Sequence, residues 1–119
     1  MFIGGSWTSG SGGKDDVINP FDQSVVAQVD HADAGDVHAA VTAARKAFDA
    51  WAVTPTRDRA ALLAKVADLL ARDKDTIART ETLDTGKTLV ESGLDVDDVI
   101  SVFRYYAGIA DSDPGRLVD

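Results

Sequence analysis

Glu81-Thr82-Leu83-Asp84-Thr85-Gly86-Lys87 reads as the end of one helix and the turn into the next. Glycine takes the left-handed backbone conformation cheaply, so Gly86 is the expected helix stop. Upstream, Asp73 is placed to cap this helix, which carries Ile77, Thr80 and Leu83. Before it, Leu62, Leu63, Val66, Leu69 and Leu70 form the expected buried stripe of another helix, entered through Thr54 as cap with Pro55 at its first position. Further back, Val37, Val41, Ala44, Phe48 and Trp51 recur at steps of four, three, four and three, one face of an amphipathic helix. Asp33 can cap it, and Asp36 in the first turn suits the helix dipole. Downstream, a last helix is expected from about Thr88 to Ala110, with Val99, Val102, Phe103 and Tyr106 on its apolar side, followed by a turn at Asp113-Pro114-Gly115.

The N-terminal residues change period. Phe2-Ile3 and Trp7 flank a glycine pair, which predicts strands around a turn, and Ser9 to Gly13 reads as a flexible loop. Val17-Ile18 is a short strand halted by Asn19-Pro20, because proline has no N–H for strand pairing. Val25-Val26-Ala27-Gln28-Val29 is a β-branched run that predicts a further strand. The expected architecture is α+β, a β-meander followed by about four helices in one unit over residues 1–119.

Composition narrows the function. The 119 residues are 45% hydrophobic, which is not a disordered composition, and carry a formal net charge of −8. That charge opposes nucleic-acid binding, which needs a basic footprint. No apolar run reaches the roughly 18 residues of a membrane span. A basic stretch leading an apolar one is also missing at the N-terminus, so no signal peptide is expected and a cytoplasmic protein is the default. There are no cysteines, which removes disulfides, thiolate metal sites and thiol nucleophiles from these residues.

Several tempting motifs fail on spacing. Gly86-Lys87-Thr88 lacks the earlier glycine of a phosphate loop, since Glu81 stands there. Gly10-Ser11-Gly12 lacks the third glycine of a dinucleotide turn. His31 and His38 have no cysteine partners and read as surface histidines, because a metal site needs three or four convergent ligands. Asp95-Val96-Asp97-Asp98 begins like a calcium loop, but Ile100 occupies the glycine position. Arg57, Arg59, Lys65 and Arg72, with Asp58 and Asp68, make an ordinary solvated face. Tyr105-Tyr106 reads as core packing rather than as a stacking platform.

Two acidic features carry more. Glu91, Asp95 and Asp98 lie at i, i+4 and i+7, so a helix aligns three like charges on one face. They read either as a solvated acidic face or as a collar that attracts an ammonium-bearing substrate. Asp84 sits near a helix C-terminus, where a carboxylate opposes the dipole and calls for a positive neighbour, either Lys87 or a bound metal ion.

Phe2–Trp7, Val17–Pro20, Ala43–Phe48 with Trp51, Arg59–Leu70, Glu81–Lys87 and Phe103–Gly108, in that order, resemble the N-terminal segment of NAD(P)-dependent aldehyde dehydrogenases. The Leu83-Asp84-Thr85-Gly86-Lys87-Thr88 wording and the Asp95–Val99 run look most like the betaine-aldehyde and aminoaldehyde branch. The resemblance implies the outer part of an α/β, Rossmann-like cofactor-binding domain, here an incomplete aldehyde dehydrogenase domain over 1–119. It implies oxidation of an aldehyde to an acid through a cysteine thiolate, with hydride passing to NAD(P)+. The cysteine, the base and the nucleotide site of that chemistry have no counterpart in these residues, so no catalytic or cofactor-binding residue is assigned. The expectation is a truncated enzyme, inactive alone, marginally stable and exposing apolar surface.

Two family roles carry over by resemblance. A structural Na+ or K+ would take the backbone carbonyls of Val17 and Ile18 and the carboxylate of Asp84. Asp95 and Asp98, with Glu91, match acidic positions at the mouth of the substrate channel. The implied partners are an aldehyde substrate, the remainder of the enzyme, and further copies in a homo-oligomer, with no nucleic acid and no membrane. The rival readings are a succinate-semialdehyde or general aldehyde dehydrogenase fragment, and a helical interaction module that complements a separately encoded remainder.

Overall fold

The computed structural model describes residues 1–110. The expected turn at Asp113-Pro114-Gly115 lies outside the described residues. The chain divides into two compact units, Met1–Val53 and the part from Thr54 onward.

The first unit contains β1 (Phe2–Ile3), β2 (Ser6–Trp7), β3 (Lys14–Ile18), β4 (Val25–Asp30) and α1 (Ala34–Ala52). The strands pair as two separate antiparallel hairpins, β1 with β2 and β3 with β4. Gly4 and Gly5 turn the first hairpin at φ +60° and +87°, a region that favours glycine. Across it Phe2 and Trp7 meet edge to face, with ring centroids 5.4 Å apart. In the second hairpin Lys14 pairs with Asp30 and Val17 with Ala27, then the register shifts between Val17 and Ile18. Asn19 stops β3 as expected. It is buried, and its side-chain oxygen accepts from the Phe21 amide at 3.0 Å, an Asx turn started by the strand-ending dipeptide.

The loop expected to be flexible is tied down. The amides of Gly10, Ser11 and Gly12 donate to Asp30 Oδ2, Asp36 Oδ2 and the His31 carbonyl at 3.2, 2.8 and 2.9 Å. The approach is so close that a Cβ on Gly10 would lie 2.1 Å from the His31 oxygen. Glycine here serves backbone proximity rather than mobility. Asp36 also closes the capping box of α1: its amide donates to Asp33 Oδ1 at 2.9 Å, and its carboxylate accepts from the Asp33 amide at 3.1 Å. No residue of α1 is buried. Its expected apolar stripe is present but uncovered, with Val41 and Phe48 more than half exposed.

The second unit is α2 (Thr56–Arg72), α3 (Lys74–Thr85) and α4 (Leu89–Ala110), with α4 packed against both of the others. Small residues make this possible. Ala67 of α2, Ala78 of α3, and Val96 and Ile100 of α4 are buried together, with Leu70, Ile77 and Phe103 against them. Alanines at a helix crossing let the axes approach closely.

The helix boundaries agree with the sequence reading to within a residue or two, but the buried faces differ. In α2 the buried positions are Ala60 and Ala67, while Leu62, Val66 and Leu69 of the expected stripe are exposed. In α4 the buried line is Ser92, Val96 and Ile100, while Val99, Val102 and Tyr106 are exposed. In α3 Ala78 is buried, and Thr80 is exposed with its hydroxyl donating to the Thr76 carbonyl. Tyr105 and Tyr106 are exposed too, packed edge-on against each other instead of in a core. These helices are apolar around more than one face, and the smallest residues take the closest contact.

Two caps also differ. Pro55 is itself the N-cap of α2, its carbonyl accepting from the Asp58 and Arg59 amides. Asp73 stands between α2 and α3 at φ −99° and ψ 10°, not the extended backbone a capping side chain needs. Its carboxylate instead accepts two hydrogen bonds from Arg72, at 2.8 and 2.6 Å.

Ile100 is 5% exposed whereas Phe21 is 92% exposed. Ile100→Ala is expected to cost roughly 2–4 kcal/mol by deleting buried methyl groups and leaving a cavity. Phe21→Ala should leave stability unchanged. Urea denaturation followed by circular dichroism measures both.

Candidate functional site

The turn that ends α3 builds the most organised side-chain cluster of the second unit. Gly86 caps α3 at φ +77°, its amide donating to the Thr82 carbonyl at 3.0 Å. The left-handed step turns the chain back, and α4 begins at Leu89. Lys87 then stands where α3 and α4 meet. Its ammonium pairs with Glu81 at 3.2 Å and, closer still, with Asp95. Hydrogen bonds from Asp95 and then Glu81 raise the pKa of Lys87, and the ammonium in turn holds the Asp95 carboxyl below the ordinary carboxylate range. One turn inward, the Thr82 and Ser92 hydroxyls share a hydrogen bond of 3.1 Å, with Ser92 fully buried. Towards the far end of α3, Lys74 pairs with Asp97 at 2.6 Å. Three polar links therefore clamp one helix hairpin.

This arrangement reassigns part of the acidic series. All three of Glu91, Asp95 and Asp98 lie on α4 as the spacing predicts. Asp95 receives its counter-charge from Lys87, so Lys87, one of the two positive neighbours considered for Asp84, is paired with Glu81 and Asp95 instead. Two carboxylates converging between the helices outcompete a single exposed one. Glu91 faces a local partner: it accepts from the Thr88 hydroxyl at 2.8 Å, and its amide donates back to that oxygen at 3.3 Å. Thr88-Leu89-Val90-Glu91 has the spacing of a capping box, a signal present in the sequence that the acidic-face reading overlooked. Asp98 is exposed.

The remaining candidates are placed as follows. Val17 and Ile18 close β3 where the ladder shifts register, and Asp84 is an exposed residue in the last turn of α3. His31 pairs with Asp15 at 2.7 Å, and His38 is exposed on α1. Among the described residues no group of three or more His, Cys, Asp or Glu side chains is placed to hold a metal ion.

Neither glycine loop offers a nucleotide cradle. The Gly86 and Lys87 amides are spent on the Thr82 carbonyl and the Thr85 hydroxyl, and the Lys87 ammonium on carboxylates. The Gly10, Ser11 and Gly12 amides are spent likewise, two of them on Asp30 and Asp36, whose pKa values those amides lower. A phosphate there would meet carboxylates. These residues do not fit a dinucleotide.

The clamp has a defined pH window. The depressed Asp95 pKa contributes stability above the ordinary carboxylate value that is lost as pH falls through the folded one. The raised Lys87 pKa contributes stability below the ordinary ammonium value that is lost as pH rises through the folded one. Lys87→Met is therefore expected to lower Tm between roughly pH 5 and pH 9, with the gap from the parent chain closing at both extremes. Thermal melts across pH check this; a constant gap would mean that the methylene stem, not the charge, carries the effect.

The sequence profile of the aldehyde dehydrogenase family matches residues 7–119. The chain is similar to the betaine aldehyde dehydrogenase of Bacillus subtilis, 42% identical over 99% of this chain and 25% of that protein. It is also similar to an aldehyde dehydrogenase of Emericella nidulans, 40% identical over 100% of this chain and 24% of that protein. Among solved structures, the betaine aldehyde dehydrogenase of Staphylococcus aureus in complex with NAD+ superposes with a TM-score of 0.94, at 39% identity, over 99% of this chain and 24% of that one. The chain thus spans about a quarter of the length of the relatives it matches. With the profile covering nearly all of it and the same fold recurring inside these enzymes, the chain belongs to the aldehyde dehydrogenase family.

Proposed function

We propose that these residues form the N-terminal part of an NAD(P)-dependent aldehyde dehydrogenase that oxidises a betaine-type or amino-aldehyde to its acid. The observation that carries this reading is the co-linear 42% identity with the Bacillus subtilis betaine aldehyde dehydrogenase. The chain supplies scaffold and entrance charge in this reading, and the chemistry comes from elsewhere in the enzyme. It contains no cysteine to act as nucleophile, so the 119 residues alone are inactive. The exposed carboxylate of Asp98, with Glu91 on the same helix, would favour a cationic aldehyde at the channel mouth and disfavour an anionic one, whereas Asp95, paired with Lys87, would add little to that charge.

A monovalent cation belongs to the same proposal. Its ligands would be the Val17 and Ile18 carbonyls and the Asp84 carboxylate. Supporting it, a positive charge would offset the carboxylate at the end of α3.

A general aldehyde dehydrogenase is the second reading, favoured by the 40% identity with the Emericella nidulans enzyme. A chimera separates the two: the matched quarter of the Bacillus subtilis enzyme is replaced by this chain, and NAD+ reduction is followed with betaine aldehyde and with a neutral aldehyde. The first reading expects preference for betaine aldehyde, and Asp98→Asn should raise its KM roughly three- to tenfold while sparing the neutral substrate. Equal effects on both substrates would favour the second. In the same chimera Asp84→Asn should abolish any rise in Tm on exchanging Tris for K+. Isolated 1–119 should reduce no NAD+.

A further inference from the structure

The four acids of α4 do not present equal charge to an approaching ligand. Glu91 lies in the first turn, where the helix dipole offsets it, and accepts from the Thr88 hydroxyl at 2.8 Å. Asp97 pairs with Lys74 at 2.6 Å. Asp95 is in contact with the Lys87 ammonium, which also reaches Glu81 at 3.2 Å. Asp98 is the one acid of α4 with no side-chain partner among the described residues. Burial does not explain why Asp95 is withheld. Its side chain is 45% exposed, and that of Lys87 38%. Solvent and small ligands reach this carboxylate, but an ammonium already occupies it.

The turn keeps that ammonium in place. Gly86, left-handed at φ +77°, reverses the chain, and the Lys87 amide donates to the Thr85 hydroxyl at 3.2 Å. Glu81 then holds the ammonium from α3 while Asp95 holds it from α4. Asp95 and Asp98 are i and i+3 on one helix, neighbours on its surface. Freed of Lys87, the two carboxylates would stand side by side and engage one cation together. With Lys87 present, only Asp98 is open to it.

We propose that Lys87 sets the charge selectivity of this entrance by occupying Asp95, leaving Asp98 as the carboxylate that meets a cationic aldehyde. Lys87 acts through Asp95 and is a positioning residue, not a catalytic one. The inference rests on the dehydrogenase reading above. The test uses the same chimera and reads the ratio of KM for betaine aldehyde to KM for a neutral aldehyde. Glu81→Gln combined with Lys87→Met removes one charge of each sign, so the net charge is unchanged while Asp95 loses its counter-ion. The ratio should fall about threefold, with the kcat ratio of the two substrates unmoved. Adding Asp95→Asn should return the KM ratio to the parent value, and Lys87→Arg alone should keep it there. In the otherwise parental chimera the isosteric Asp95→Asn should move the ratio less than Asp98→Asn does, a comparison that holds even if the Lys87 variants do not fold. An unmoved ratio in the Glu81→Gln, Lys87→Met chimera, a fall that survives Asp95→Asn, or equal effects of the two single Asn variants would overturn the proposal and leave Lys87 as a clamp between α3 and α4. An Asp98→Asn effect without a response to freeing Asp95 strikes this proposal alone. A chimera with no preference for betaine aldehyde and no response to Asp98→Asn sinks the substrate reading, and this proposal with it.

Discussion

The second unit depends on the close approach of α4 to α2 and α3, which is possible only because the touching positions are small. Ala67, Ala78 and Ser92 are nearly or fully inaccessible to solvent, and Val96 and Ile100 fill the space between. A larger residue at any of the first three would push the helices apart and separate the groups that clamp them. The Thr82–Ser92 hydrogen bond and the Lys87 ion pairs follow from that spacing and do not create it. Packing sets the distance, and the polar groups then fix the register of the hairpin.

The same packing leaves much apolar surface uncovered. Among the described residues five hydrophobic side chains are buried, three of them alanine, whereas Val41, Phe48, Leu62, Val102 and Tyr106 face outward. Burying an alanine removes little apolar area, so the hydrophobic driving force of this core is small. Apolar helices on a thin core fit a segment whose fold recurs within chains four times as long.

Much of the candidate site was legible before the fold was known. Gly86 as the stop of α3, the start of α4 near Thr88 and the alignment of Glu91, Asp95 and Asp98 on one helix all follow from local rules. The partner of Lys87 did not. Asp84 and Glu81 are both near it in sequence, and Asp95 lies on the next helix, so the choice depends on how α4 leaves the turn. The role of Glu91 was readable from Thr88 three residues earlier, but the regular charge spacing drew the interpretation away from it.

The sequence by itself determined the order and extent of the elements, because capping, glycine stops and hydrophobic period act within a few residues. It also determined the family, through short phrases in a fixed order along the chain. Only the tertiary structure decided which face of each helix is buried. α2 and α4 carry apolar residues on several sides, and periodicity cannot rank those sides. The closest approach selected Ala60 and Ala67 over Leu62 and Leu69, and Ser92, Val96 and Ile100 over Val102 and Tyr106, because helix axes draw nearest where side chains are smallest or fit the gap. It likewise turned the Ser9–Gly13 loop from a flexible link into an anchored one, since the carboxylates and carbonyl that hold its amides come from β4, from α1 and from the residue between them.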